Sequence, residues 1–121
     1  MIDKKFLTRS EYQCMLNLWN LPTKGGFIRD IQEGFETPKP AYTTTATFMK
    51  ILVRKGFCKV QKVGSMQYYT PKISKKDYCK RVMEKAKEDY FDGDVTKFVE
   101  FLLKYNEVTD EQKEAMVAML R

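Results

Sequence analysis

Four threonines in five residues, Thr43, Thr44, Thr45 and Thr47, open a segment with helical spacing, YTTTATFMKILVRKG. Each β-branched side chain costs a helix a few tenths of a kcal/mol, so the four together weaken it by roughly 1–2 kcal/mol. In return they offer short hydroxyls that donate or accept at a base edge or a phosphate, and methyls that fit against a thymine methyl. Tyr42, directly before them, is long enough to reach a phosphate or stack on a sugar. Lys50 and Arg54 follow on the same outward side as Thr43 and Thr47, placed for a polyanion backbone. Thr45 turns inward with Phe48, Met49 and Leu52, and its hydroxyl is expected to bond a carbonyl one turn earlier. Thr44 lies between the two sides and suits either. This is chemistry for reading a surface, not for breaking bonds.

The remaining composition supports that division. There is no histidine, and Cys14, Cys58 and Cys79 are far apart, with no CxxC pair. Three scattered thiols make a poor zinc or copper set, so no metal and no cofactor are expected, and the thiols read as reduced and mostly buried. The absence of histidine also removes the usual general base, and no catalytic residue is assigned. No apolar run approaches a membrane span, and the start, MIDKKFLTRSEYQ, is not a secretory signal. The expected location is cytoplasmic.

The net charge is +6, unevenly spread. Residues 1–73 hold 12 Lys and Arg against 5 Asp and Glu; residues 74–121 hold 10 against 11. A polyanion-binding module joined to a neutral assembly module has this asymmetry. Lys24, Lys39, Lys59 and Lys62 are candidate phosphate contacts, though any one of them suits a solvated surface equally. Gln67 can reach a minor groove or bond within its own strand.

These residues need elements to hold them. Thr8 with Glu11 is a capping box, and Tyr12, Met15, Leu16 and Trp19 then fall on one helical face. Thr23 is expected to cap a second helix with Phe27, Ile28, Ile31 and Phe35 inward, weakened at its start by Gly25 and Gly26. ETPKP breaks the chain, Pro40 suits the first turn of a third helix to about Lys55, and Gly56 ends it. Two β-prone runs around Gly64-Ser65 make a hairpin with a type II′ or I′ turn. Three helices and a hairpin in this order form a winged helix-turn-helix. The fold class is therefore mainly α with a small β-hairpin wing, and residues 1–73 form the DNA-binding domain, with the third helix in a major groove.

Residues 74–121 read as three more helices. Ser74 with Asp77 caps one carrying Tyr78, Val82, Ala86 and Tyr90; Asp94 caps the next; Thr109 with Gln112 caps the last, with Met116, Met119 and Leu120. In the middle helix Val95, Phe98, Val99, Phe101, Leu102 and Leu103 are apolar nearly all round. So short a segment cannot bury such a helix within itself. A helical dimerisation domain is expected, with Tyr78, Val82, Tyr90, Val95, Phe98, Phe101, Leu102, Met116 and Leu120 at the interface of a homodimer. The other possibility is packing back on the first domain.

LTRSEYQCMLNLW, AYTTTATFMKILVRKGF and GSMQYYTP resemble, in order and spacing, the penicillinase repressor family, and SKKDYCKRVMEKAKEDYFDGDVTKFVEFL extends the likeness. The resemblance implies a homodimeric winged-helix repressor of a dyad-symmetric DNA operator. It places recognition contacts on Tyr42, Thr43, Thr44 and Thr47 and the wing on Val60 to Gln67. Ser65 and Met66 stand where the family usually has an arginine after the wing glycine. The Asn-Phe bond cut by a sensor protease in some members corresponds to Phe101-Leu102 here, and the cysteine pairs of the copper-responsive branch are absent. Two other readings remain open: a winged-helix module that binds protein, and a ligand sensor whose aromatic cluster, Tyr90, Phe91, Phe98, Phe101 and Tyr105, forms a pocket.

Overall fold

The computed structural model describes residues 5–121. In chain order the elements are α1 (Arg9–Trp19), β1 (Gly26–Phe27), α2 (Ile28–Glu33), α3 (Tyr42–Arg54), β2 (Cys58–Val63), β3 (Met66–Pro71), α4 (Lys75–Tyr90), α5 (Val95–Lys104) and α6 (Asp110–Met119). Packing divides the chain into two units, one through Lys80 and one from Arg81 to Arg121.

The first unit begins as its sequence predicts. The Glu11 amide donates to Thr8 Oγ1 at 3.3 Å, and the Thr8 amide donates to Glu11 Oε1 at 2.9 Å, which closes the capping box. The face α1 buries is turned from the one its stripe predicts: Cys14, Met15 and Leu18 are fully covered, while Tyr12, Leu16 and Trp19 are half-buried. Tyr12 and Trp19 are drawn sideways into an aromatic cluster with Tyr78, at ring separations of 6.1–6.2 Å. Aromatic pairs at such distances add to the area they bury.

The second helix starts later than Thr23. Gly26 and Phe27 instead pair antiparallel with Tyr69 and Tyr68 as β1, so the sheet has three strands in the order β1-β3-β2. Just before this strand the Tyr68 ring lies over Gly25, where a Cβ would stand 2.7 Å from its hydroxyl oxygen, so a larger residue there displaces the ring. Phe27 meets the Tyr68 ring edge-on at 5.1 Å, and Asp30 then serves α2 by accepting the Phe27 amide at 2.9 Å.

Helix α3 ends in a Schellman motif. The Phe57 amide donates to the Leu52 carbonyl and the Gly56 amide to the Val53 carbonyl, with Gly56 at φ +85°. In the hairpin, Val63 pairs with Met66 across the two-residue turn Gly64-Ser65. Gly64 has φ +63° and Ser65 stays out of the left-handed region, the pattern of a type II′ turn.

Ile31, Met49, Leu52, Phe57 and Tyr69 complete the core between the helices and the sheet. Beside it lies a covered ion pair: Lys55 Nζ is 2.6 Å from Glu11 Oε1 and donates to the Phe6 carbonyl at 3.1 Å, both side chains being 6% exposed. Burial pushes the Glu11 carboxyl up, but the Lys55 hydrogen bond and charge, with the Thr8 bonds, outweigh it and hold the carboxyl below its usual range. Burial likewise pushes the Cys14 and Cys58 thiols up to about 12. Cys79 is exposed.

The boundary between units falls inside α4, not before it. Ser74 caps the helix by accepting the Asp77 amide, and Tyr78 then plugs into the first unit against Phe57 while its hydroxyl accepts the Leu7 amide at 2.9 Å. In the second unit Asp94 accepts the Thr96 and Lys97 amides, and Thr109 with Gln112 forms a second capping box before α6. Among the described residues no helix is long and apolar enough to cross a membrane.

Candidate nucleic-acid interface

Helix α3 carries one buried line and one open side. Thr45, Met49 and Leu52 are fully buried and Phe48 is half-buried, whereas Tyr42, Thr43, Thr44, Thr47, Lys50 and Arg54 are exposed. The fold thus puts Thr44 on the open side. Thr45 Oγ1 donates to the Ala41 carbonyl at 3.1 Å, as its inward position predicts. Thr47 makes the same bond to the Thr43 carbonyl, at 2.9 Å, although it is exposed. A hydroxyl whose proton is held by its own helix presents only lone pairs and a methyl outward. The acceptor is a backbone carbonyl, so the same bond is open to Thr47 as to Thr45 whatever residue stands four positions earlier.

The start of α3 is electrostatically bare. Its N-cap is Ala41, which has no side-chain acceptor for the first amides, and no acidic residue stands in the first turn. Those amides carry the positive end of the helix dipole, which attracts anions such as phosphate. The cost in helix stability adds to that of the threonines, and both fall on the same turn.

The wing stands beside this helix through Tyr69. Its ring is buried at the base of β3, and its hydroxyl donates to Gln67 Oε1 at 3.1 Å. Burial, then the nearby Tyr42 and Cys58, push the Tyr69 hydroxyl above its ordinary range. Gln67 therefore bonds within its own strand and keeps its amide hydrogens free. Lys62 pairs with Gln67 in the ladder, and Lys59 lies further down β2, both exposed.

Not every predicted phosphate contact is brought to this place. Lys50, Arg54, Lys59 and Lys62 have no carboxylate partner among the described residues. Lys39 is 2.8 Å from Glu33, so part of its charge is already answered, and the bond lowers the Glu33 carboxyl. Lys24 lines a cleft with Thr70 and Lys75, at the end of the sheet away from the wing turn. The first unit through Lys80 holds 15 Lys and Arg against 6 Asp and Glu, and the second holds 7 against 10.

The second unit holds the other predicted contacts. Val95, Phe101, Leu102, Tyr90 and Leu120 are 62%, 49%, 46%, 78% and 87% exposed, and Val82, Phe98 and Met116 are half-buried. Tyr78, expected at the subunit interface, is corrected: it is buried in the first unit by the Tyr12, Trp19 and Phe57 rings. The aromatic cluster packs on itself, with Phe91 stacked on Phe98 at 4.8 Å and Phe101 against Tyr105 at 4.7 Å, leaving a recess of about 230 Å³. A larger apolar cleft of about 550 Å³ lies between α5 and α6, lined by Leu103, Val108, Met116, Val117 and Leu120.

Residues 7–121 match the family model described as penicillinase repressor. No curated protein matches the chain.

Proposed function

The chain belongs to the penicillinase repressor family of DNA-binding transcriptional regulators, and from that premise we propose a homodimer that binds a dyad-symmetric operator and occludes a promoter. The carrying observation is the open side of α3, where exposed Tyr42, Thr43, Thr44 and Thr47 surround an uncapped, positive helix start. That turn enters the major groove, Lys50 and Arg54 grip the backbone, and Lys62 with Gln67 carries the wing to the adjacent groove. Thr47, holding its proton inward, accepts from an adenine or cytosine amino group or packs on a thymine methyl.

Assembly falls to the second unit. Val82, Tyr90, Val95, Phe98, Phe101, Leu102, Met116 and Leu120 form an apolar surface that one chain leaves open, and a second copy covers it. The two recognition helices then meet half-sites about one helical turn apart or a small multiple of it. The protein works in the cytoplasm and needs no cofactor for this reading.

The test is fluorescence anisotropy with DNA from immediately upstream of the gene, beside scrambled DNA, at two salt concentrations. Tight, sequence-dependent binding that Thr43→Ala with Thr47→Ala abolishes, in a folded protein, is the expected result. Equal binding to both DNAs reduces the first unit to a charge patch. No binding at low salt replaces the repressor with a protein-binding winged helix.

A further inference from the structure

The first unit holds a second concave surface, between the end of α1 and the start of α4. A cleft of about 480 Å³ is lined by Leu18, Trp19, Thr70, Pro71 and Ile73, with Lys24, Lys72 and Lys75 among its walls. That volume lies within the range of small-molecule sites, which pair an apolar floor with a few fixed polar groups. The Trp19 indole is fixed here, since its N–H donates to the Ile73 carbonyl at 2.9 Å and its ring packs against Tyr12 and Tyr78. Its hydrogen-bonding capacity is used up, so what it offers the cleft is a flat apolar ring.

The lysines complete the site. Among the described residues none of the three has a carboxylate partner, and no Asp or Glu lines the cleft. The Lys72 backbone is pinned by its amide to the Phe57 carbonyl at 2.8 Å, and that of Lys24 by its amide to the Leu21 carbonyl at 3.1 Å. Lys24 has φ +57°, a left-handed conformation that costs an L-residue free energy and suits glycine. A lysine is thus held at a position whose backbone favours another residue, beside a cleft its ammonium can serve.

We propose that this cleft binds a small aromatic carboxylate, its ring on Trp19, Pro71 and Ile73 and its charge among Lys24, Lys72 and Lys75. The binding is independent of the DNA reading and is measured without DNA. Lysines reach an anion as mobile point charges, so the ring supplies orientation and the ammoniums supply selection by charge.

Trp19 is the sole tryptophan, so its emission reports on the cleft directly. The whole chain is titrated with benzoate, with benzyl alcohol and inorganic phosphate alongside, and bound benzoate is counted by equilibrium dialysis. Saturable benzoate binding is expected, with benzyl alcohol and phosphate each far weaker. Each lysine removed should weaken benzoate about two- to fivefold, as for partly exposed charge pairs. Lys24→Gly is the decisive variant, because it also relieves the left-handed lysine: it should melt at the same or a higher temperature while losing affinity. Absence of bound benzoate in dialysis overturns the proposal. So does equal binding of benzyl alcohol, equal binding of phosphate, or full affinity in a folded Lys24→Gly, Lys72→Ala, Lys75→Ala protein.

Discussion

The two units use the same kinds of residue to opposite ends. In the first, Met15, Leu18, Ile31, Met49, Leu52, Phe57 and Tyr69 are all removed from water, and the charged residues are mainly cationic. In the second, α5 and α6 bury no residue fully, although α5 carries Val95, Phe98, Val99, Phe101, Leu102 and Leu103 within ten positions. The first unit is complete as a folded body and has a polar, basic side left over. The second has its apolar side left over, and its cohesion within one chain rests largely on ring contacts about Phe91 and Phe101. Burying apolar surface contributes about 25 cal/mol per Å², and here most of that gain is still unrealised.

The largest effect should come from breaking the second unit's surface. Phe101→Glu or Leu102→Glu should yield monomers by analytical ultracentrifugation, with operator affinity reduced by orders of magnitude and the first unit's fold intact. A dimer that survives both substitutions would move the interface elsewhere. Next in size are changes to the first unit's interior. Met49→Ala or Leu52→Ala should destabilise it by about 2–5 kcal/mol in chemical denaturation, with the monomer–dimer equilibrium of the folded protein little changed.

The Glu11–Lys55 pair gives the first unit a pH dependence. The Glu11 carboxyl is held below its ordinary value of 4.5, so its stabilisation is present above that pH and is lost as pH falls through the lower folded value. Removing either partner should cost about 3–5 kcal/mol, because the other charge stays covered. Glu11→Gln should accordingly flatten the acid limb of the first unit's stability, measured by denaturation from pH 6 to pH 3. The smallest expected change is at the open side of α3. Lys50→Ala or Arg54→Ala should reduce the slope of log affinity against log salt by about one, with base preference unaltered. A changed preference would make that residue a base reader.

What was legible in the sequence was what local spacing specifies. Thr8 with Glu11, Thr109 with Gln112 and the Gly64-Ser65 turn act within a few residues, and all three elements stand where their spacing puts them. Thr45 was legible because an inward threonine has one nearby acceptor. What was not legible depended on distant partners. Gly25 and Gly26 read as a weak helix start because Tyr69 and Tyr68, some 40 positions away, are what make Gly26 and Phe27 a strand. Tyr78 sat on a regular stripe of α4, yet three aromatic rings from the first unit claim it. The outward side of α3 was visible in the sequence as polarity, but its bare N-terminus becomes meaningful only once Ala41 is known to be the cap.

Two buried thiols and one exposed thiol make the first unit its own recorder of opening. At neutral pH Cys14 and Cys58, pushed up to about 12, are both protonated and covered, so an alkylating reagent meets only Cys79 in the native chain. The other two can react only in molecules whose core has come apart. Their rate of modification, with Cys79 as an internal standard for reagent strength, therefore counts core-opening events in an unlabelled protein. In this way sulfur chemistry apart from the open side of α3 would time how often the body carrying that helix opens.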